Sequence, residues 1–283
     1  MKTDRRSFFK KSGLGVTAMA AAPLLTTSKF ALDQFVSTPG KISYDLGMAG
    51  YTFVKFPLED ALKMTQRVGI KHLCIKDFHL PLDSSDSEIA AFHKKCGEYG
   101  IKGYAVGPIY MKSEDQVNMA FEYAKKVGVR LIIGVPNYEL LPLVDRKVKE
   151  YDFRVAIHNH GPGDDLYPTP EVIYEKVKDL DRRIGMCHDV GHTWRYGKDP
   201  VAMTLKYGDR IYDMHIKDVT EATTKGSSCE MGRGIIDFPA LFDAVAQSGY
   251  SGKCSIEFEK DNTDPLAGIA ECVGYYNAVH DTM

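Results

Sequence analysis

The sequence predicts an α/β chain folded as a single (β/α)8 barrel, on three observations. Eight short apolar, β-branched runs recur along residues 40–283; amphipathic helical stretches separate them; and paired start and stop signals bound the helices. Strands divided by helices must run parallel, because each crossover returns the chain to the same edge, and eight such units close on themselves. An open doubly wound sheet is the alternative, but no GxGxxG follows the first strand.

In order, the strand candidates are Ile42–Gly47, Ile70–Ile75, Ile101–Val106, Val129–Val135, Phe153–His158, Ile184–His188, Ile211–Ile216 and Gly252–Phe258. Between the first two, Leu58, Ala61, Leu62 and Val68 recur at helical spacing. Val117, Ala120, Phe121, Ala124 and Val127 do the same before the fourth. Thr169-Pro170, Asp199-Pro200 and Asp264-Pro265 each set a capping side chain before a Pro that needs no N–H partner. Ser113 with Gln116 matches a capping box. Gly69, Gly100, Gly128 and Gly249 stand where left-handed caps would end helices. Thr220–Gly234 is a longer insertion after the seventh strand, placed to lie over the barrel mouth.

Composition narrows the class. With 44% hydrophobic and 26% charged residues, 25 Gly and 13 Pro, the chain is neither disordered, collagen-like nor a multi-span membrane protein. A formal net charge of −2 supplies no basic footprint for nucleic acid. The six Cys are scattered without a CxxC and read as core thiols.

Residues 1–30 stand apart. Lys2, Arg5, Arg6, Lys10 and Lys11 form a basic head before the weakly apolar run Ser12–Leu25, which is too short to span a bilayer. Arg5-Arg6-Ser7-Phe8-Phe9-Lys10 resembles the bacterial twin-arginine export signal, with Asp4 a departure from it. The expectation is a periplasmic protein with no lipid or other stable membrane anchor.

Polar residues gather where strands end, which is where barrel enzymes build their sites. Strand two ends on Lys76, Asp77 and His79, strand five on His158, Asn159 and His160, and strand six on His188, Asp189 and His192. Strand seven adds His215, Lys217 and Asp218; strand eight adds Glu257 and Glu259. Six of nine His fall at these ends. Imidazole with carboxylate at one mouth suits one divalent ion such as Mn2+, Zn2+, Co2+ or Fe2+. Asp189, His215 and Glu257 come from three strands, with His158 the natural fourth ligand and His160 and His192 in reserve. Lys76, His79, Trp194, Arg195 and Arg233 are candidates to hold substrate at the mouth. Lys76, Lys217 and the Gly232-Arg233-Gly234 turn have a plainer reading as rim charges and loop chemistry.

His188-Asp189-Val-Gly-His192, Met214-His215-Ile-Lys217-Asp218, Gly232-Arg-Gly-Ile-Ile-Asp237 and Ser255-Ile-Glu257 together resemble the xylose isomerase-like barrel superfamily. That group holds sugar isomerases and epimerases, inosose dehydratases and abasic-site endonucleases. The resemblance implies Asp189, His215 and Glu257 as metal ligands and His192 at the substrate or the metal. The family's remaining ligand is usually a Glu ending strand five; here His158 stands in its place. Family epimerases use two metal-bound carboxylates on opposite faces of the sugar, so this change bears on mechanism.

The leading expectation is a sugar isomerase or epimerase working through an enediolate on a free or keto sugar, with His160 or Glu257 as base and Lys217 steadying the oxyanion. The alternative is a lyase, hydratase or dehydratase eliminating from a 3-keto-glycoside or inosose, and a third reading is a non-catalytic sugar-binding barrel. The expected partner is a small carbohydrate, with no nucleic acid and with a homo-oligomer permitted. Trinuclear endonuclease relatives need a further Asp-x-His that Thr220–Gly234 lacks.

Overall fold

A computed structural model describes residues 45–282; the export-like segment and the first residues of the expected opening strand lie outside them. Eight parallel strands close into a barrel: β1 (Leu46–Ala49), β2 (His72–Ile75), β3 (Lys102–Met111), β4 (Leu131–Pro136), β5 (Arg154–His158), β6 (Ile184–Asp189), β7 (Ile211–Ile216) and β10 (Cys254–Ile256), with β10 pairing back onto β1. Between β7 and β10, β8 (Asp218–Val219) and β9 (Ser228–Cys229) form a small antiparallel ribbon inside the expected insertion.

Helices wrap the outside: α1 (Leu58–Arg67), α2 (Asp86–Glu98), α3 (Glu114–Val127), α4 (Leu141–Tyr151), α5 (Pro170–Val177), α6 (Val190–Arg195), α7 (Pro200–Tyr207), α8 (Phe238–Gln247) and α9 (Leu266–His280). Among the described residues no helix is long and apolar enough to cross a membrane. All four glycines expected as stops take positive φ, from 68° to 79°, which side chains with a Cβ rarely adopt. Asp199 caps α7 through Val201 N at 2.9 Å, whereas Thr169 makes no side-chain cap and α9 starts at Leu266, one residue past Pro265. Ser113 accepts from Gln116 N, but Gln116 reaches back to Lys112 N instead; the complete capping box is at Ser85 and Glu88.

The period of two along each strand divides the molecule. Val155 and Ile157, Met214 and Ile216, and Cys254 and Ile256 point outward into the main core against the helices. Cys74, Ala105, Ile133, Ala156 and Cys187 fill the barrel interior as a separate small-residue cluster. All six Cys are buried and free. Deeper in the barrel, Tyr104 Oη bonds to both oxygens of Asp213 at 3.0 Å and to Ser255 Oγ at 2.6 Å. Burial pushes the Asp213 carboxyl up to about 7.

Two strands differ from the expected ranges in ways that matter. The third strand is expected to end at Val106, yet β3 continues through Gly107-Pro108, where Pro donates no ladder hydrogen bond, to Met111 and carries Tyr110 to the mouth. β10 is shorter than expected, so Glu257 and Glu259 sit just beyond the paired strand.

Asp218 organises the insertion. Its Oδ1 accepts Val219 N at 2.8 Å and Ile236 N at 3.1 Å, and its Oδ2 accepts Gly232 N at 3.0 Å and Gly234 N at 2.9 Å. Gly232 has φ 84°, and a Cβ on Gly234 would lie 2.2 Å from Asp218 Oδ1. The Gly232-Arg233-Gly234 turn is therefore shaped to wrap a carboxylate. Hydrogen bonds to a charged group contribute about 1.5–3 kcal/mol each when unshared, so Asp218→Ala should cost roughly 2–4 kcal/mol, about 4–8 °C in Tm for a domain this size. Thermal unfolding with amide exchange checks this; unchanged protection at residues 219, 232, 234 and 236 would refute it.

Candidate metal centre and pocket

The strand alternation that turns Ala156, Cys187, Asp213 and Ser255 inward also turns inward the residue two positions on. His158, Asp189, His215 and Glu257 thereby meet, with one ligand atom of each lying within 4.8 Å of the others. His158 Nε2 is 3.0 Å from His215 Nδ1 and 3.7 Å from Asp189 Oδ2, and His215 Nδ1 is 3.3 Å from Glu257 Oε1. Ligands about 2.0–2.2 Å from a shared ion stand about 3–3.6 Å apart, so the donor set fits a divalent cation of the transition series. All four side chains are buried.

The electrostatics point the same way. Burial, aided by neighbouring His160 and His215, holds His158 well below its ordinary pKa, leaving a neutral imidazole. For His215, burial acts against protonation, but the Glu257 carboxylate beside it helps hold the ring well above its usual value. That spot favours positive charge. Burial alone would raise Glu257, yet Lys217 and His215 bring it well below the ordinary range. Burial raises Asp189 to about 7 against the pull of Lys217.

Asp189 has two tasks. Its Oδ1 caps α6 by accepting His192 N at 2.8 Å, which places the His192 ring, while Oδ2 faces the cluster without a directed hydrogen bond. Asn159 braces its backbone: Asn159 Oδ1 accepts Asp189 N at 2.9 Å, and Asn159 Nδ2 donates to Asp189 O at 3.1 Å. His188, one residue earlier, points outward to Thr193 and Thr204, and burial lowers it to about 3.

Lys217 is no rim charge. Its Nζ donates to Glu257 Oε2 at 2.6 Å and Glu259 Oε2 at 2.7 Å, and lies 2.9 Å from Asp189 Oδ2 and 3.2 Å from His192 Nε2. Burial would depress it, but Asp189, Glu257 and Glu259 reverse this and hold the ammonium well above its ordinary value. With its three protons directed at Glu257, Glu259 and His192, it has none free for a substrate oxyanion.

Above the cluster is a cavity of about 170 Å³ lined by Tyr51, Lys76, Pro108, Tyr110, His158, His160, His192, Glu257 and Glu259. Drug-sized pockets run to about 300–1,000 Å³, so this one suits a single small ring. A larger cavity of about 500 Å³ at the opposite end, lined by Arg130, Arg154 and Tyr212 among others, holds none of the clustered ligands.

Lys76 and His160 reach the pocket as expected from their strands. His79 does not: its Nε2 bonds to Phe56 O at 2.9 Å, a hydrogen-bonding shelf for a loop. Arg233 lies outside too, because the Asp218-wrapping turn aims it at Glu271 of α9, 2.7 Å from Nη2 to Oε2. Trp194 packs half-buried on the main core, and Arg195 lines a neighbouring cleft with Glu259 and loop residues 226–230. Tyr110 and Tyr51 line the pocket although the sequence did not mark them. Tyr110 Oη is 3.2 Å from His160 Nε2 and donates to Asp164 Oδ2 at 2.5 Å.

Comparisons with known proteins agree with the fold. The chain is 28% identical over 138 residues to the rhizopine catabolism protein MocC of Rhizobium meliloti, covering 44% of this chain and 42% of that protein. It is 26% identical over 130 residues to inosose dehydratase of Lacticaseibacillus casei, covering 41% and 43%. The matches thus span about two-fifths of these relatives' length. Among solved structures, the IolI protein with a bound zinc atom superposes with a TM-score of 0.70 at 19% identity, over 84% of this chain and 98% of that one. L-ribulose 3-epimerase shares the fold with a TM-score of 0.67 at 16% identity, over 85% and 95%. A family model described as "Xylose isomerase-like TIM barrel" matches residues 49–278, and the chain belongs to that family.

Proposed function

We propose that the protein is a divalent-metal-dependent lyase or dehydratase that eliminates from an oxidised sugar or cyclitol, such as a 3-keto-glycoside or inosose. The observation that carries this is the one-sided supply of acid–base groups. A two-face epimerase needs a carboxylate on each side of the substrate; here His158 replaces one, and the other, Glu257, is engaged by Lys217 and His215. The remaining polar face of the pocket is His160 with Tyr110, and His160 Nδ1 has no hydrogen-bond partner.

His158, Asp189, His215 and Glu257 would hold the ion, which when bound polarises a substrate carbonyl and acidifies the adjacent C–H. His160, its pKa lowered chiefly by burial, is neutral and able to accept that proton. The electron pair left on carbon expels the β-substituent, which departs as an alcohol or water once protonated from the same His160–Tyr110 face. Lys76 flanks the pocket as a positive contact for a hydroxyl or carbonyl oxygen. The inosose dehydratase relatives are consistent with this chemistry. A second reading, isomerisation or epimerisation, rests on the shared barrel of the sugar 3-epimerases and on the same proton abstraction.

The protein should hold about one transition-metal ion per chain by elemental mass spectrometry. Asp189→Ala should lose it and His158→Ala should bind it more weakly; no ion after reconstitution would sink the metalloenzyme reading and leave a sugar-binding barrel. With keto-sugars in D2O, elimination products should accumulate, and His160→Ala should slow turnover by roughly 10²–10⁴-fold. Proton exchange with an epimer as the only product would favour the second reading.

We propose also that the Arg5-Arg6 segment exports the chain to the periplasm. Cell fractionation should find it there, and Arg5→Lys with Arg6→Lys should leave it in the cytoplasm; an unchanged distribution would refute this.

A further inference from the structure

Two adjoining groups of side chains at the mouth could each hold a cation. One is the His158, Asp189, His215 and Glu257 set; the other is formed by His192, Glu257 and Glu259, whose ligand atoms also lie within 4.8 Å of one another. Glu257 belongs to both. It turns Oε1 toward His215 and Oε2 toward Lys217, as a carboxylate does when it bridges the ions of a two-metal site. We propose that the Lys217 ammonium is a resident cation filling the second position, so that a centre with ligands for a pair of divalent ions accepts one.

Three observations carry this. Lys217 Nζ lies 2.6 Å from Glu257, 2.7 Å from Glu259 and 3.2 Å from His192, within reach of one ligand atom of every member of the second set. Asp189 Oδ2 is fully buried and makes no directed hydrogen bond; it lies 3.7 Å from His158 Nε2 on one side and 3.7 Å from His192 Nε2 on the other. It therefore faces both positions. Charge is the third. Asp189, Glu257 and Glu259 carry three negative charges when ionised, and one divalent ion plus one ammonium neutralises them. An ammonium is a compact point charge with three donors, and here it takes the place of a metal ion among oxygen and nitrogen ligands. Removing it would leave a net charge of −1 around the first ion and an open cradle beside it, conditions that attract a second cation.

The inference rests on the metal reading above, but its test is separable, because it concerns the difference between two proteins. Wild type and Lys217→Ala, both verified as folded by circular dichroism and thermal unfolding, are loaded with excess Mn2+, desalted and counted by elemental mass spectrometry. Lys217→Ala should hold one more ion per chain than wild type. Lys217→Ala with Glu259→Gln should bind that extra ion at least tenfold more weakly. Electron paramagnetic resonance gives an independent readout: wild type should show only isolated Mn2+ even at excess metal, and Lys217→Ala a spin-coupled pair. Equal counts in the two folded proteins would overturn the proposal, as would a coupled pair in wild type, which tests it even where the variant fails to fold. A wild type holding no ion would defeat the metal reading alone; one ion gained by Lys217→Ala would still support the resident cation.

Discussion

One buried ammonium ringed by three carboxylates, two of them buried and the third, Glu259, partly exposed, is the constraint on which the mouth of this barrel depends. Isolated buried charges are too costly to persist, and removing one member of such a set leaves the others uncompensated. The cluster therefore ties β6, β7 and the segment after β10 to a common arrangement: Asp189 comes from the first, Lys217 follows the second, and Glu257 and Glu259 come from the third. The same constraint divides the labour of the pocket. Groups committed to neutralising one another are poor partners for anything else, and the pocket's other polar lining residues include His160, Tyr110 and Lys76.

Much of this was legible because two periodicities were. Strand alternation put His158, Asp189, His215 and Glu257 on inward faces, and strand ends in a barrel meet at one place. What stayed hidden depended on side-chain direction or on a strand's true length. Tyr110 was missed because the third strand is expected to end at Val106, and the strand runs on past it. Lys217 and Glu259 were visible as strand-end charges, but only three-dimensional closure shows that they contact each other. His79 and Arg233 are the opposite case: near the mouth in sequence, they bond elsewhere, to Phe56 O and to Glu271.

Beneath the His158, Asp189, His215 and Glu257 cluster the barrel interior remains polar. His215 Nε2 lies 3.8 Å from Asp213 Oδ2, and Asp213 in turn joins Tyr104 and Ser255. Cys74 and Cys187 fill the same layer, where burial raises both thiols and so keeps them protonated. Apart from Asp213, the layer is built of uncharged groups, Cys74, Cys187, Tyr104 and Ser255, which limits the charge density the fold must tolerate.

The Asp218 carboxylate has a consequence for how such a barrel diversifies. It grips the insertion after β7 through main-chain amides alone, at Val219, Gly232, Gly234 and Ile236. The side chains between residues 220 and 231 contribute nothing to that grip. Outside the buried Cys229, Glu230 and Met231, the stretch is in effect a replaceable cassette on a fixed clasp: its sequence can drift while the backbone leading out of β7, and with it His215 and Lys217, stays in place.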